Sequence, residues 1–403
     1  MDAHQPPSHV PPDLYWDHDL RSFAAELDDP YLAVARMYDG PDIVWARSIG
    51  LGVGGWVVTR HSLIEEVLLD PVRFSSRDNA GVAAMLGMDW RLIPLEVDPP
   101  AHADYRRILQ PWFQPAAINA IEARLRRTVR ELLDGFEQKG ECEFVSEFAA
   151  LFPSYVVLEL MGLPRELLTT FLEWENAYIH AHTPEQRTAA IKKIASYIDG
   201  YVAKRRIEPK RDDLVNAILE AEIRGRPITE AEAMGMIMIL YTGGLDTVLS
   251  SLGWYFRYLA SDPALQSHLR ENPDEIPAAV EELMRAFGVV GSRRTVASDF
   301  NFHSVPMREG DKVIAPGFLA GRDPRQYREP HKVLVDRGAR HLTLATGPHN
   351  CIGGHLARRE IRIVLEELLG RLRNIRIAPG AVALWSTEGV WTVKHLPLVW
   401  DPP

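Results

Sequence analysis

The sequence predicts a mainly α-helical fold with small β elements, from apolar residues that return at helical spacing, explicit helix-start signals, and β-like pieces that are short and scattered. Over Ala116 to Lys139 and Asp213 to Leu259 the apolar positions recur every three to four residues, with Glu, Arg and Ala between them. Thr229 with Glu232 has capping-box spacing, and Asp262 before Pro263 puts proline in a first helical turn. The β signal is confined to a hairpin over Ile43 to Arg60 and to pieces at Asn301 to Phe302, Lys312 to Ile314 and Leu396 to Trp400.

Taken in order, residues 1–20 are polar and proline-containing and are expected to be a flexible segment. No positively charged run leads there into an apolar stretch, so neither signal peptide nor membrane anchor is expected. The hairpin runs through Ile43, Val44 and Trp45, a glycine turn, and Trp56, Val57, Val58 and Thr59. Its turn holds Gly50, Gly52 and Gly55, a literal GxGxxG. A dinucleotide site needs a helix directly after that motif; here a strand follows, so nucleotide binding is not expected. Ala233 to Leu245 is uncharged and the apolar character resumes to Phe256, a length able to cross a bilayer. Gly243, Gly244 and Asp246 at its middle instead favour a helix buried in a soluble protein. No repeat, low-complexity tract or Gly/Ser linker divides the chain, so 1–403 reads as one domain, although 403 residues exceed the usual size of a single core.

Composition sets outer limits. With 46% apolar and 25% charged residues, disordered, collagen-like and disulfide-scaffold classes are excluded. Lys plus Arg total 45 against 55 Asp plus Glu, a formal charge of -10, which argues against nucleic acid as a partner. Cys142 and Cys351 lie too far apart for a CxxC motif and are too few for a secreted framework, so a cytoplasmic, reducing setting is expected.

The richest segment runs from Leu344 to Arg358. A glycine-rich loop there meets the helical pattern of Leu356, Ile361, Val364, Leu365 and Leu368, which puts Cys351 at or just before a helix N-terminus. Free N–H groups and the helix dipole at that point favour a thiolate, a strong ligand for an electron-rich metal. Gly347, His349, Cys351 and Gly353, followed by Leu356-Ala357-Arg358, resemble the haem-binding signature of the cytochrome P-450 superfamily, the haem-thiolate monooxygenases.

That resemblance implies the triangular single-domain cytochrome P-450 fold, haem b (iron protoporphyrin IX) as cofactor, and Cys351 as the axial ligand of the haem iron. It also implies that Gly347 and Gly353 lie against the haem. Leu344 and Ala345 stand where the signature carries Phe and Gly, so a shifted haem potential is expected. Glu282-Leu283-Met284-Arg285 matches the family's ExxR, whose structural third partner is either Arg337 or Arg340. Gly243-Gly244-Leu245-Asp246-Thr247 resembles the oxygen-activating motif, which implies that the glycines thin the helix for dioxygen while Asp246 and Thr247 handle protons. His102 and Arg106, with Arg294 and His349, occupy the positions that pair with haem carboxylates. Such a cofactor would fill the centre of a fold too large for one core of side chains.

Within the family the resemblance runs to the soluble bacterial class and to its camphor hydroxylase. Trp90 falls where that enzyme has a tyrosine donor, so a reshaped pocket is expected, lined by Met85, Leu86, Trp90, Ile239, Thr242, Val289 and Val290. The expected substrate is a small apolar terpenoid or ionone-like norisoprenoid, hydroxylated with dioxygen. Electrons are expected, by family likeness alone, from NAD(P)H through a reductase and a ferredoxin of the 2Fe–2S kind. Between residues 337 and 373 seven Arg and three Glu, with no Lys or Asp, give a local charge of +4 that suits an acidic ferredoxin. A monomer without membrane contact is expected. The competing readings are a peroxide-driven peroxygenase and a non-catalytic haem-dependent sensing protein. His180-Ala181-His182 reads as a mobile surface feature rather than a metal site.

Overall fold

In the computed structural model, which describes residues 5–88, 90–338 and 340–401, the largest sheet is built around the glycine-turn hairpin. β1 (Tyr15–Asp19) runs parallel to β2 (Ile43–Ser48), which pairs antiparallel with β3 (Gly55–Val58), Trp45 opposite Trp56. With β4 (Phe74–Ser75), β5 (Gly291–Val296) and β6 (Lys312–Pro316) the sheet has the order β1-β2-β3-β6-β5-β4. Smaller strands occur at Phe300–Phe302 and Pro397–Asp401, so the scattered β pieces form where alternation placed them.

The N-terminal segment differs from expectation. Over residues 5–20 it is packed: β1 adds to the edge of β2, Val10 and Leu20 are buried, and His9 Nε2 lies 2.9 Å from Asp311 Oδ2. Its backbone and its few apolar side chains find partners far away in sequence, which polar composition did not reveal. Residues 1–4 lie outside the described residues.

Helices carry the rest. α1 (His102–Phe113) is followed by Pro115–Asp134, close to the periodic stretch that began at Ala116. The stretch 213–259 is not one helix: after Leu214–Leu219 the two-residue strands Glu222–Ile223 and Arg226–Pro227 pair across Arg224 and Gly225, both at positive φ. Thr229 then starts α2 (Glu230–Gly244) with a complete capping box. α3 (Asp246–Leu259) continues it after an interruption at Leu245. Together they are long and apolar enough to cross a membrane, but 67% of the most apolar window is buried within the protein. One contiguous cluster of buried apolar side chains extends from Val10 to Trp400.

The ExxR residues lie on α4 (Ile276–Ala286), where Arg285 donates to Glu282 through two bonds of 2.7 and 2.8 Å. Arg337 Nε completes the cluster at 2.8 Å from Glu282 Oε1 with its side chain 9% exposed. Arg340 does not join it; its side chain is 78% exposed and 3.7 Å from Glu65. Arg337 is therefore the third partner.

Candidate active site

Cys351 sits three residues before α5 (Gly354–Arg371), its N–H donating to Leu344 O at 2.8 Å. Ala345, in place of glycine, takes φ +57, a region an L side chain enters at a cost. Gly347 (φ +71) admits no side chain: a Cβ there would lie 2.8 Å from Leu68 O. At Gly353 a Cβ would meet only Cys351 Sγ, at 3.9 Å. The sulfur is reached by solvent through the hollows it lines, yet lies deep. Burial pushes its thiol up, against the Gly353 N–H and the charges of Arg106 and Arg358. The Gly353 N–H and the charges of Arg106 and Arg358 are the groups that favour the thiolate here.

A cavity of about 270 Å³ separates this loop from the α2–α3 junction, with Cys351 and Gly353 on one side and Gly243, Gly244 and Thr247 on the other. The two glycines differ. A Cβ on Gly243 would meet only Ile239 Cδ1 at 3.8 Å, so its absence keeps the helix thin. A Cβ on Gly244 would come within 2.8 Å of Val157 Cγ2, so that glycine serves helix packing.

Asp246 is buried, with Ser250 Oγ 3.5 Å from one carboxylate oxygen and His180 Nε2 3.5 Å from the other. His180 is thus no mobile surface feature: it is buried, whereas His182 is exposed. Its Nδ1 lies 2.7 Å from Glu388 O. A carbonyl only accepts, so Nδ1 carries a hydrogen, and a proton between Nε2 and Asp246 must come from one of that pair. Glu175 is buried, and burial and then the charge of Asp246 raise it well above the ordinary carboxylate range. Burial lowers Lys394, which faces the same carboxylate.

The expected haem can be tested against the polar groups around this cavity. His102 and His349 pack with ring centroids 4.4 Å apart, and the Nε2 of each is buried without a partner. Arg294 is 4% exposed and donates to Arg293 O at 2.7 Å; burial pulls it down to about 10 even with Asp98 nearby. Arg106 is held by Asn350, donating to its O at 2.6 Å and its Oδ1 at 2.7 Å. Orphaned ring nitrogens and Arg106 at the edge of this mainly apolar cavity, with the desolvated Arg294 guanidinium in the adjoining one, suit a large apolar ligand that carries carboxylates. The residues present fit haem.

The substrate positions divide. Ile239 lines the first cavity and Val290 a second, of about 290 Å³, with Leu95 common to both. Trp90, Met85, Leu86, Thr242 and Val289 are not among the residues lining either. The Trp90 indole is buried, with Nε1 3.3 Å from Met88 Sδ, and the Thr242 hydroxyl donates to Met238 O at 3.0 Å. Val289 is buried, its carbonyl accepting from Trp391 N at 2.9 Å, while Met85 and Leu86 are half-buried on the helix Val82–Leu86.

The cytochrome P450 family model matches residues 165–376. A probable cytochrome P450 127A1 from Sinorhizobium fredii is 35% identical over 402 residues, covering 98% of this chain and 96% of that one. The crystal structure of cytochrome P450 CYP101C1 superposes with a TM-score of 0.86 at 33% identity, covering 98% of this chain and 100% of that one. That of CYP101J2 gives 0.85 at 31% identity with the same coverage. These likenesses extend over nearly the whole molecule, including the loop and helix junction that face each other across the cavity. The chain belongs to the cytochrome P450 family, monooxygenases that hold haem b through a cysteine thiolate.

Proposed function

We propose that the chain acts as a single domain in which Cys351 binds the haem iron, and that it hydroxylates an unactivated C–H bond of a small apolar compound of terpenoid or ionone-like norisoprenoid type. The observation that carries this reading is that Cys351 and Thr247 line one cavity from opposite sides. Bound haem supplies an iron centre where dioxygen, two electrons and two protons yield one oxygen atom for the substrate and one for water. His102, His349, Arg294 and Arg106 supply donors for its carboxylates. Gly243 would leave room in the cavity shared with Cys351, and Thr247 would hold a proton at Oγ1 beside that room. Asp246, with His180 Nε2 at 3.5 Å, resupplies protons from the protein interior.

Electrons come from NAD(P)H through a reductase and a 2Fe–2S ferredoxin that docks on the cysteine side. Most arginines counted in that region are engaged: Arg337 with Glu282, Arg358 with Glu281, Arg359 and Arg362 with Glu122, Arg371 with Glu137. Support for docking comes instead from a surface bowl reaching Cys351, where Arg106, Arg340 and Arg358 gather around the single acid Glu281. The enzyme works as a cytoplasmic monomer without membrane or nucleic-acid partners.

The test is a panel of terpenoids titrated into the holoenzyme, followed by turnover of those that bind. A low-to-high-spin change of the haem spectrum and hydroxylated product with NADH, reductase and ferredoxin are expected. Product with hydrogen peroxide but none with the electron-transfer chain would identify a peroxygenase instead.

A further inference from the structure

The second cavity holds more positive charge than an apolar substrate needs. Arg21, Arg187, Arg293 and Arg294 line it, and no Asp or Glu is among its lining residues. Arg294 belongs with the haem-carboxylate donors, and Arg21 is neutralised by its ion pair with Glu388. Arg187 donates to the Tyr178 hydroxyl at 3.2 Å and leaves its Nε buried without a partner. Arg293 is the least satisfied. Among the described residues its guanidinium has one hydrogen bond, from Nη2 to Ile49 O at 3.3 Å. Burial pulls it down to about 10, and the charges of Arg21 and Arg187 act in the same direction.

The arrangement is built into the sheet. Arg293 and Arg294 are neighbours on β5 and both reach this cavity; Arg293 meets the glycine turn of the β2–β3 hairpin, whereas Arg294 turns back to the Arg293 carbonyl. At Gly50 (φ +126) a Cβ would lie 2.7 Å from Arg21 Nη2 and 2.8 Å from Arg293 Nη2. The GxGxxG turn that has no place in nucleotide binding thus makes room for two guanidiniums. Arg293 is half-buried, and a cation partly withdrawn from water beside like charges is costly unless an anion joins it. The rest of the wall is neutral: Leu20, Ile49, Leu51, Phe318 and Trp391 are apolar, Ser76, Asn79, Ser292 and Thr387 polar, and Leu95 also lines the cavity of Thr247 and Cys351.

We propose that the substrate is an apolar carboxylate, its acid group held by Arg293 with Arg187 alongside and its apolar body extending past Leu95 toward Thr247. This rests on the monooxygenase reading above and supplies the polar end of its substrate. A planar, singly charged carboxylate matches a guanidinium fork. Oxidation then falls at the end of the molecule away from the acid.

Geranic acid and perillic acid, each with its methyl ester, are titrated into the holoenzyme at pH 7, with binding read by haem spin state and independently by calorimetry. Each acid is expected to bind at least about tenfold more tightly than its ester. Arg293→Gln is expected to remove most of that ratio by weakening the acid alone, Arg293→Lys to keep part of it, and Arg187→Gln to lower it in the same direction. Esters binding as tightly as acids, or a ratio unchanged in Arg293→Gln, overturn the carboxylate and leave the terpenoid reading standing. If neither acids nor esters bind a holoenzyme with full haem, both fall. Loss of haem from Arg293→Gln with the ratio intact assigns Arg293 to the haem carboxylates and also overturns the proposal.

Discussion

Replacing Arg337 by alanine removes the third member of the Glu282–Arg285 cluster, and the contacts set the size of the effect. Arg337 Nε donates to Glu282 Oε1 at 2.8 Å, and its other nitrogens reach the carbonyls of Arg328, Glu329 and Lys332. Glu282 keeps both bonds from Arg285 and the Leu334 N–H at 2.9 Å. Its charge is therefore not stranded, and the roughly 3–5 kcal/mol of a broken buried pair does not apply. What is lost is one charge-assisted hydrogen bond, about 2–3 kcal/mol, since water can reach the freed carbonyls at the exposed edge. Arg340→Ala, at a side chain 78% exposed, is expected to stay within about 0.5 kcal/mol of wild type. Urea unfolding of the two holoproteins, followed by tryptophan fluorescence and compared at equal slope, reads the difference. Equal losses in the two variants, or none in either, would refute the assignment.

Other variants probe the loop, the proton path and an ion pair. Ala345→Gly relieves φ +57 but loosens the unfolded chain, and a net gain of about 0.5–1 kcal/mol is expected as a higher urea midpoint; a loss would contradict the left-handed geometry. Thr247→Ala is expected to lower product formed per NADH by at least about tenfold while peroxide release rises, and unchanged coupling would remove Thr247 from proton handling. Glu281 is subject to burial, which raises it, but the hydrogen bonds from His341 and Arg358 hold it down at about 2. Its stabilisation is fully present above the ordinary value of 4.5 and is lost as pH falls toward 2. Glu281→Gln should therefore flatten the acid limb of stability in that window, with a neutral-pH cost of about 1 kcal/mol because Glu281 and Arg358 are both partly exposed. Urea midpoints across that range check it; an unaltered acid limb would count against the pair.

What the sequence made legible was local. The capping box at Thr229, the Trp45–Trp56 hairpin and the loop before α5 each depend on residues within a few positions of one another. The rest needed long-range partners. Tyr15–Asp19 looks polar until the edge of β2 accepts it, and spacing could not choose between Arg337 and Arg340. His180 reaches Asp246 from 66 positions away, from a segment with no motif of its own. Trp90 occupied the right place in the order of residues, but the Met88 sulfur lies against its N–H and the core takes its ring. Arg293 passes unnoticed beside Arg294 because only the folded sheet brings it against the glycine turn at Ile49 and Gly50.

The most direct measurement is the absorption of the reduced holoprotein under carbon monoxide. If Cys351 binds the haem iron as a thiolate, the wild type shows the red-displaced Soret band, and Cys351→Ser loses it while still holding haem. A wild-type protein with full haem and no displaced band, or a serine variant that keeps it, would contradict the account.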